Sequence, residues 1–446
     1  MFKKILIANR GEIAVRIIRA ARELGIETVA VYSTEDRDSL HVKLADEAIC
    51  IGPAEATKSY LHLFNIAQAI ANSRCDAVHP GYGFLSENPS FVRVCKDLGV
   101  KFIGPDAETM ERLADKSTVK AILDENGIPT VPGSKGSIED EDTLIKIVND
   151  IGYPVLLKAA WGGGGRGMRV VRSKEELIDA FRSAKLEAKA SFGKDDIYLE
   201  KFIEHPRHIE VQILADEYGN VVHIGERDCT LQRRHQKLLE ESPSPVLKEA
   251  TRKRLHETAV EAAKILGYKN AGTLEFLFDG EEFYFIEINT RIQVEHPVSE
   301  MVYGVDLIKE QIKVAAGREL DLLQAGLLPK FHVIECRINA EDPVKFYPSP
   351  GRITNLYLPG GPGVRVDTAI GCNSNVSPYY DSMIAKLIVR GSDREEARKR
   401  MLRCLNEFII EGVKTNIDFF KKLLTTSDFI NNNYDTNFID RKFLSG

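Results

Sequence analysis

The chain has 446 residues, of which 43% are hydrophobic and 28% charged, and its formal net charge is −6. This composition is typical of a globular protein of two or three domains, and the acidic balance argues against a general binder of nucleic acid or of anionic membranes. No apolar run reaches the ~18 residues of a membrane span, and no signal peptide is visible. The seven cysteines are scattered along the chain, which predicts a cytoplasmic protein with reduced thiols.

The first hundred residues alternate between strand and helix patterns. Apolar strands are predicted at 4–8 and 28–32, and between them a helix at 13–24 carries its apolar residues on one face. The alternation continues to about residue 103, as in β-α-β winding around a parallel sheet. Gly11 stands at the first strand-to-helix turn, but the G-x-G-x-x-G spacing is missing. We therefore expect a Rossmann-like scaffold that need not bind NAD.

The rest of the chain changes character twice. One helix is predicted over residues 107–125, and residues 139–193 read as a helix, a hairpin around a glycine run and a second helix, a small α+β insertion. Residues 197–317 are strand-rich and then helical. Beyond Pro329 the pattern is β-rich, with strands predicted at 332–338, 353–358, 364–367 and 384–390 and a helix at 395–408. The sequence thus predicts three domains of the α/β and α+β classes.

The glycine run at 162–167 (GGGGRG) lies between predicted strands at 155–160 and 168–172. A P-loop needs a strand, a loop and a helix with a terminal Lys-Ser/Thr, and that pattern is absent. A glycine-rich hairpin can still fold over phosphates, because bare backbone N–H groups approach anions closely. Lys116 and Lys158 are placed to act as point charges on phosphate oxygens. The alternatives are a mobile hairpin tip and two solvated surface lysines.

Two aromatic-rich strands, 273–278 and 283–289, are predicted to form a hairpin. A three-residue loop would place Glu275 opposite Glu287, whereas a two- or four-residue loop would need a bulge to do the same. Two carboxylates and an amide oxygen suit Mg²⁺, and the alternative is a solvent-facing acidic strand. If the second strand continues far enough, alternation puts four residues on one face: Phe285, Glu287, Asn289 and Arg291.

Three other charged segments are candidate site elements. In residues 291–296 (RIQVEH), Arg291 can bind a planar oxyanion with two parallel hydrogen bonds, and Glu295 can act as a general base near that anion. Residues 200–203 end a predicted strand, and His208 and Glu210 lie on the next one. The segment 226–237 packs charge of both signs, and a solvated face and an anion-binding surface fit it equally well.

Several segments together resemble one family, and the resemblance covers residues 2 to about 440. These segments are ANRGEIAVR (8–16), HPGYGFLSEN (79–88), GGGGRGMR (162–169), GERDCTLQRRHQK (225–237), FIEINTRIQVEHPVSEM (285–301), ECRINAED (335–342) and YYDSMIAKL (379–387). They resemble the biotin carboxylase family, which belongs to the ATP-grasp superfamily.

The resemblance implies a set of binding and catalytic roles. ATP would be bound by Lys116, Lys158, Gly163, Gly164, Gly165, Glu200, Lys201, Phe202, Ile203, His208, Gln232, His235, Glu275 and Glu287. The Mg²⁺ or Mn²⁺ ions that bridge its phosphates would be held by Glu275, Glu287 and Asn289. Bicarbonate would be bound by Lys237, Arg291, Gln293, the Val294 backbone and Glu295. The catalytic residues would be Arg291, Glu295, Arg337 and Lys237. Glu295 would be the base, and Arg337 would bind biotin and stabilise its enolate.

The resemblance also implies a reaction and partners. Bicarbonate would attack the γ-phosphate to give carboxyphosphate, and the ureido nitrogen of biotin would then take the carboxyl group. The implied domains are a Rossmann-like domain (1–114), an ATP-grasp domain (115–330, lid about 132–203) and a C-terminal domain (331–446). No Met-Lys-Met biotinylation motif occurs in the sequence. The biotin is therefore expected on a separate biotin carboxyl carrier protein. The other expected partners are a carboxyltransferase subunit and, in a homodimer, a second copy of this chain.

Two departures from the family pattern bear on the host complex. Trp161, before the glycines, is more similar to pyruvate carboxylases, and Pro362 stands where many bacterial members have Phe in a segment of the family's dimer interface. Acetyl-CoA carboxylase is the expected host, and pyruvate carboxylase or another acyl-CoA or 2-oxo-acid carboxylase is the alternative. Two alternatives of other kinds are half of a carbamoyl-phosphate synthetase and a non-catalytic nucleotide-binding regulator.

Overall fold

The computed structural model describes residues 1–160 and 168–444. The strands are β1 (Lys4–Ile7), β2 (Glu27–Ser33), β3 (Glu47–Gly52), β4 (Ala77–His79), β5 (Lys101–Phe102), β6 (Val155–Ala159), β7 (Met168–Val171), β8 (Ile197–Lys201), β9 (Arg207–Ala215), β10 (Val221–Arg233), β11 (Gln236–Ser242), β12 (Asn270–Phe278), β13 (Phe283–Asn289), β14 (His332–Asn339), β15 (Gly351–Arg352), β16 (Asn355–Tyr357), β17 (Val364–Thr368), β18 (Asn375–Val376), β19 (Met383–Gly391) and β20 (Ile409–Glu411).

The helices are α1 (Gly11–Glu23), α2 (Leu40–Leu44), α3 (Leu63–Ser73), α4 (Pro89–Asp97), α5 (Ala107–Ala114), α6 (Lys116–Glu125), α7 (Glu141–Ile151), α8 (Lys174–Phe192), α9 (Glu249–Ile265), α10 (His296–Tyr303), α11 (Leu307–Ala315), α12 (Arg394–Glu407), α13 (Ile417–Leu423) and α14 (Ser427–Ile430). None of these helices combines the length and the apolar character that crossing a bilayer requires.

The N-terminal segment forms a five-stranded parallel sheet in the order β3-β2-β1-β4-β5. Its central strand is apolar because both faces are covered, and Ile5, Leu6 and Ile7 are fully buried. At the end of β1 the chain turns directly into α1, and Gly11 takes a positive φ of 69° at that turn. The predicted Rossmann-like scaffold is confirmed.

The helix predicted over residues 107–125 is two helices, so this prediction is wrong. Asp115 is extended (φ −86°, ψ 97°), and its carboxylate accepts hydrogen bonds from the backbone N–H groups of Ser117 and Thr118. An N-cap of this kind starts a new helix at the next residue. Lys116 is therefore the first residue of α6, and its side chain reaches Glu287.

The predicted strand at 353–358 is too long. Only Asn355–Tyr357 (β16) is a strand, paired with β20, and the separate strand β15 (Gly351–Arg352) just before it pairs with β18. Ile353, between the two, is fully buried in the C-terminal apolar cluster. The chain changes partner strand here, which an apolar pattern alone does not reveal.

A three-stranded antiparallel sheet, in the order β7-β6-β8, stands apart from the larger sheet. Together with α7 and α8 it encloses its own apolar cluster, which includes Val155, Leu157 and Leu199. The predicted helix–hairpin–helix arrangement is confirmed. The glycine run at 162–167, and with it the predicted Gly163, Gly164 and Gly165, lies outside the described residues.

The largest sheet has eight antiparallel strands in the order β13-β12-β9-β10-β11-β14-β19-β17. The strands from β9 to β13 come from the central part of the chain, whereas β14, β17 and β19 come from its C-terminal part. The two parts join where β11 pairs with β14. The first helix packs on this sheet, since Ile13 and Ile17 share an apolar cluster with Val333 and Ile388.

Candidate active site

One cavity of about 1150 Å³ opens between the parallel sheet, the three-stranded sheet and the eight-stranded sheet. Among the described residues, every one predicted for the site lines it except Glu295. Glu295 lies directly behind the cavity wall, where it contacts Lys237 and Arg337. The structure therefore places these residues at one site, and their individual roles stay predictions.

The hairpin of β12 and β13 positions the carboxylates. Its loop has four residues, and Glu275 lies opposite Glu287 because the register shifts by one residue between Glu275 and Phe276. This is the bulge that a four-residue loop was predicted to need. The predicted face is wrong at one residue. Glu287 pairs with Glu275 and Phe285 pairs with Phe276, and the adjacent residues Glu275 and Phe276 point to opposite faces, so Phe285 lies on the face opposite to Glu287.

The three predicted metal ligands lie on neighbouring strands. Asn289 donates from Nδ2 to Glu275 Oε1 at 2.9 Å, and its Oδ1 accepts from Arg291 Nη2 at 3.3 Å. Glu287 forms an ion pair with Lys116. Two carboxylates and an amide oxygen on one wall fit the oxygen ligands that Mg²⁺ or Mn²⁺ takes.

Lys237 is the cation at the centre of the site. Its Nζ lies 2.5 Å from Glu210, 2.9 Å from Glu275 and 2.7 Å from Glu295. Burial alone would lower the pKa of Lys237, but the three carboxylates hold that pKa well above its ordinary value. Burial would likewise raise the pKa of Glu275, but Lys237 and His208 hold it well below the usual range.

Glu210 was predicted to lie on the same strand as His208, but it was not predicted to belong to the site. It is fully buried, and besides Lys237 it contacts Arg227 Nε at 2.5 Å. His208 and Glu210 are two positions apart on β9 and so share one face of the strand. Strand alternation could therefore have assigned Glu210 to the site from the sequence. Glu210 therefore helps to fix the ammonium group of Lys237 beside Glu275 and Glu295.

Arg337 connects two buried carboxylates at the other end of the site. Its Nε donates to Glu240 at 2.7 Å and its Nη2 to Glu295 at 2.9 Å. Burial would raise the pKa of Glu295, but Lys237 and Arg337 hold it well below the usual range, so Glu295 is ionised at neutral pH. Burial raises the pKa of Glu240 to about 7, and the nearby Arg337 opposes this rise. Sequence analysis missed Glu240.

The opposite end of the cavity is rich in lysine. Lys158 Nζ lies 2.8 Å from Glu200, and Lys120 Nζ lies 3.2 Å from the same carboxylate. Burial would lower the pKa of Lys158, but Glu200 and further neighbours hold it above the ordinary value. Two of the described cations, Lys116 and Lys158, therefore line this end of the cavity in charged form.

Arg291 is held in place from the N-terminal segment. Its Nε donates to Glu87 at 2.9 Å and its Nη1 to Gln293 at 2.8 Å. Glu87 also accepts from the backbone N–H of Thr290 at 3.1 Å. Sequence analysis missed Glu87 as a site residue, although it lies within the HPGYGFLSEN segment.

Three family models cover most of the chain. They are the biotin carboxylase N-terminal domain (residues 1–110), the carbamoyl-phosphate synthase L chain ATP binding domain (115–323) and the biotin carboxylase C-terminal domain (335–441). The chain is 54% identical over 443 residues to biotin carboxylase 1 of Bacillus subtilis, covering 99% of this chain and 98% of that protein. It is 50% identical over 441 residues to a pyruvate carboxylase subunit of Methanothermobacter thermautotrophicus, covering 99% and 90%.

Solved structures agree with these matches. A biotin carboxylase from Campylobacter jejuni, described as a β,γ-ATP complex, superposes with a TM-score of 0.96 at 51% identity and 99% coverage of both chains. The biotin carboxylase domain dimer of Hydrogenobacter thermophilus 2-oxoglutarate carboxylase, described in complex with MgADP, ADP and bicarbonate, gives 0.94 at 48% identity, covering 99% of this chain and 98% of that one. The fold and the site define an ATP-dependent ligase with an ATP-grasp domain. Within that class, the chain belongs to the biotin carboxylase family.

Proposed function

We propose that this chain carboxylates biotin on a separate carrier protein, with bicarbonate and ATP as the other substrates, as the biotin carboxylase subunit of acetyl-CoA carboxylase. The observation that carries the proposal is the division of one cavity into two ends. Lys116 and Lys158 form a cationic end suited to phosphates. Lys237 and Arg337, with Glu295 directly behind them, form an end suited to a small anion and a proton.

ATP would lie at the lysine end, with Phe202, Ile203 and other apolar residues of the wall beside its base. Glu275, Glu287 and Asn289 would hold Mg²⁺ or Mn²⁺, which neutralises phosphate charge during phosphoryl transfer. Lys116 and Lys158 now pair with carboxylates and would exchange them for phosphate oxygens. The glycine run would close over the phosphates, in line with its composition.

Bicarbonate would bind between Lys237 and Arg291, with Gln293 and the Val294 backbone as further donors. Glu295 is an ionised carboxylate beside this position, so it would accept the bicarbonate proton. The freed oxygen would attack the γ-phosphorus, the bond to ADP would break, and carboxyphosphate would form. The bond between the carboxyl carbon and the phosphate oxygen of carboxyphosphate would then break, the departing phosphate would take the ureido N–H proton, and the ureido nitrogen would bond to the carboxyl carbon. Arg337 would face the ureido group and offset its negative charge during this transfer.

The proposed domains are 1–114, 115–330 with a lid at about 132–203, and 331–446, in line with the bounds of the matched family models. The proposed partners are a biotin carboxyl carrier protein and a carboxyltransferase subunit, in a cytoplasmic complex built on a homodimer. The Hydrogenobacter relative is described as a dimer. Trp161 and the similarity to the Methanothermobacter subunit favour pyruvate carboxylase as the second candidate host.

The test is bicarbonate-dependent ATP hydrolysis, measured as phosphate release with and without free biotin. We expect biotin to stimulate the rate, and Glu295→Gln to abolish the stimulation. A rate that biotin leaves unchanged would overturn the proposal in favour of another ATP-grasp ligase, and no steady release would favour a regulator. Mass spectrometry of the co-purified subunits distinguishes the hosts, because an acetyl-CoA and a pyruvate carboxyltransferase have different sequences.

A further inference from the structure

Lys386 is a fully buried lysine that the proposed reaction does not use. It lies on β19, directly opposite Arg337 of β14 and Asp367 of β17. A buried ammonium group is stable only where acceptors and opposite charge surround it. Its Nζ meets Val294 O at 2.8 Å and Glu12 Oε1 at 3.0 Å, with Asp367 at 4.0 Å.

The first of these partners lies in the segment proposed to bind bicarbonate. Residues 290–295 belong to neither a strand nor a helix, so no ladder of backbone hydrogen bonds fixes them. Gln293 O accepts hydrogen bonds from the backbone and ring nitrogens of His296, at 3.3 and 2.8 Å. Val294 O accepts from Lys386. The bond from Lys386 to Val294 O orients the peptide group between Val294 and Glu295. It thereby sets the direction in which the Glu295 side chain leaves the backbone.

The second partner comes from the first helix. Glu12 is buried and also accepts a hydrogen bond from the Tyr82 hydroxyl, and both of these side chains line the cavity. Lys386 therefore contacts the N-terminal helix and the 290–295 segment from its own C-terminal strand. Arg337, its neighbour across the strands, contacts Glu295 from the same sheet.

We propose that Lys386 is a positioning residue for bicarbonate: its ammonium group holds the Val294 carbonyl so that the Val294–Glu295 segment keeps the geometry that bicarbonate needs. The inference rests on the proposed function of that segment. Lys386 touches no substrate, and ATP and biotin bind to other residues. Its loss should therefore weaken bicarbonate use selectively.

The experiment compares Lys386→Met with the double variant Lys386→Met/Glu12→Gln, which removes both charges of the buried pair. In both we expect KM for bicarbonate to rise about tenfold or more, because small misplacements at a reacting group are costly. KM for ATP should stay within about twofold of wild type, as no ATP contact changes. Bicarbonate binding followed by ¹³C NMR, without turnover, should weaken in parallel. Arg394→Met, which removes another buried cation from the pair with Glu241, should leave both KM values unchanged.

Three results would overturn the inference. One is an unchanged KM for bicarbonate in either folded variant, and another is an equal rise in both KM values. The third is recovery of the bicarbonate KM in the double variant, which would show that Lys386 only neutralises Glu12. If the single variant does not fold, the double variant decides, and failure of both to fold also counts against a positioning role. A wild-type protein without biotin-stimulated ATP hydrolysis would instead refute the proposed function itself.

Discussion

Replacing Lys237 with methionine tests the charge arrangement at the centre of the site. The substitution keeps most of the side-chain volume and removes the cation shared by three buried carboxylates. Each carboxylate, however, keeps a second cationic partner: Arg227 for Glu210, His208 for Glu275 and Arg337 for Glu295.

The magnitude follows from those second partners. Removing one member of a buried ion pair costs about 3–5 kcal/mol when the other charge is left alone. Because no carboxylate at this site is left alone, we expect a loss in free energy of unfolding of about 3 kcal/mol, near the low end of that range and not three times it. Loss of a charged donor at the reacting anion should also lower kcat by about 10²- to 10³-fold.

Urea unfolding followed by circular dichroism measures the first quantity, and biotin-dependent phosphate release measures the second. Lys101→Met is a matched control, because Lys101 forms an exposed pair with Glu217. Such a pair contributes about 0–1 kcal/mol, and turnover should not change. A Lys237→Met protein with kcat within about threefold of wild type would refute the role of Lys237 at the anion. A variant that does not fold would refute the argument from second partners.

Three further substitutions give distinct outcomes. Glu287→Gln removes a proposed metal ligand, and phosphate release measured across a Mg²⁺ titration should show a drop in kcat of about 10²-fold or more; near-normal turnover would mean that the metal is held elsewhere. Arg337→Ala should slow biotin carboxylation while the Kd for ATP, measured by calorimetry, stays near wild type; simultaneous loss of both would indicate misfolding. Glu240→Gln addresses the pH dependence of stability. Since burial raises the pKa of Glu240 from 4.5 to about 7, the native state binds an extra proton between these values and stability falls as pH rises through them. In the variant, the free energy of unfolding should no longer fall with pH over this range, a loss of up to about 1.4 kcal/mol per pH unit in the slope. Urea unfolding at a series of pH values measures this slope, and an unchanged slope would contradict a raised pKa of Glu240.

Local patterns in the sequence were enough to predict much of the fold. Apolar periodicity gave the β-α-β order of the first hundred residues, and strand alternation placed Glu275 opposite Glu287 with the correct condition on loop length. The break at Asp115 was missed because periodicity continues across it. The break is marked by the capping bonds of the Asp115 carboxylate. Aspartate is a common N-cap residue, so its presence at position 115 was the one local sign of a new helix.

The charged interior could not be predicted in the same way. Glu240, Arg337 and Lys386 are 97 and 49 residues apart along the chain, counted from the positions of the three residues. They meet only because β11, β14 and β19 are neighbours in the sheet. A charged residue in a strand normally predicts a solvent-facing side chain, and no local pattern shows that a second layer covers this face. The resemblance to a family supplied Arg337, whereas the structure supplied Glu240 and Lys386.

The separation of the two sheets has a mechanical consequence. Lys237, Glu275, Glu287 and Arg337 all stand on the eight-stranded sheet, whose continuous hydrogen-bonded ladder fixes their mutual distances. Lys158 stands on the three-stranded sheet, which has no ladder in common with the larger one. A hinge motion of the smaller sheet would therefore move Lys158 relative to these four residues and leave the spacing among the four unchanged. In the proposed reaction, this separation would let nucleotide enter and leave while the residues proposed for bicarbonate and biotin keep their spacing.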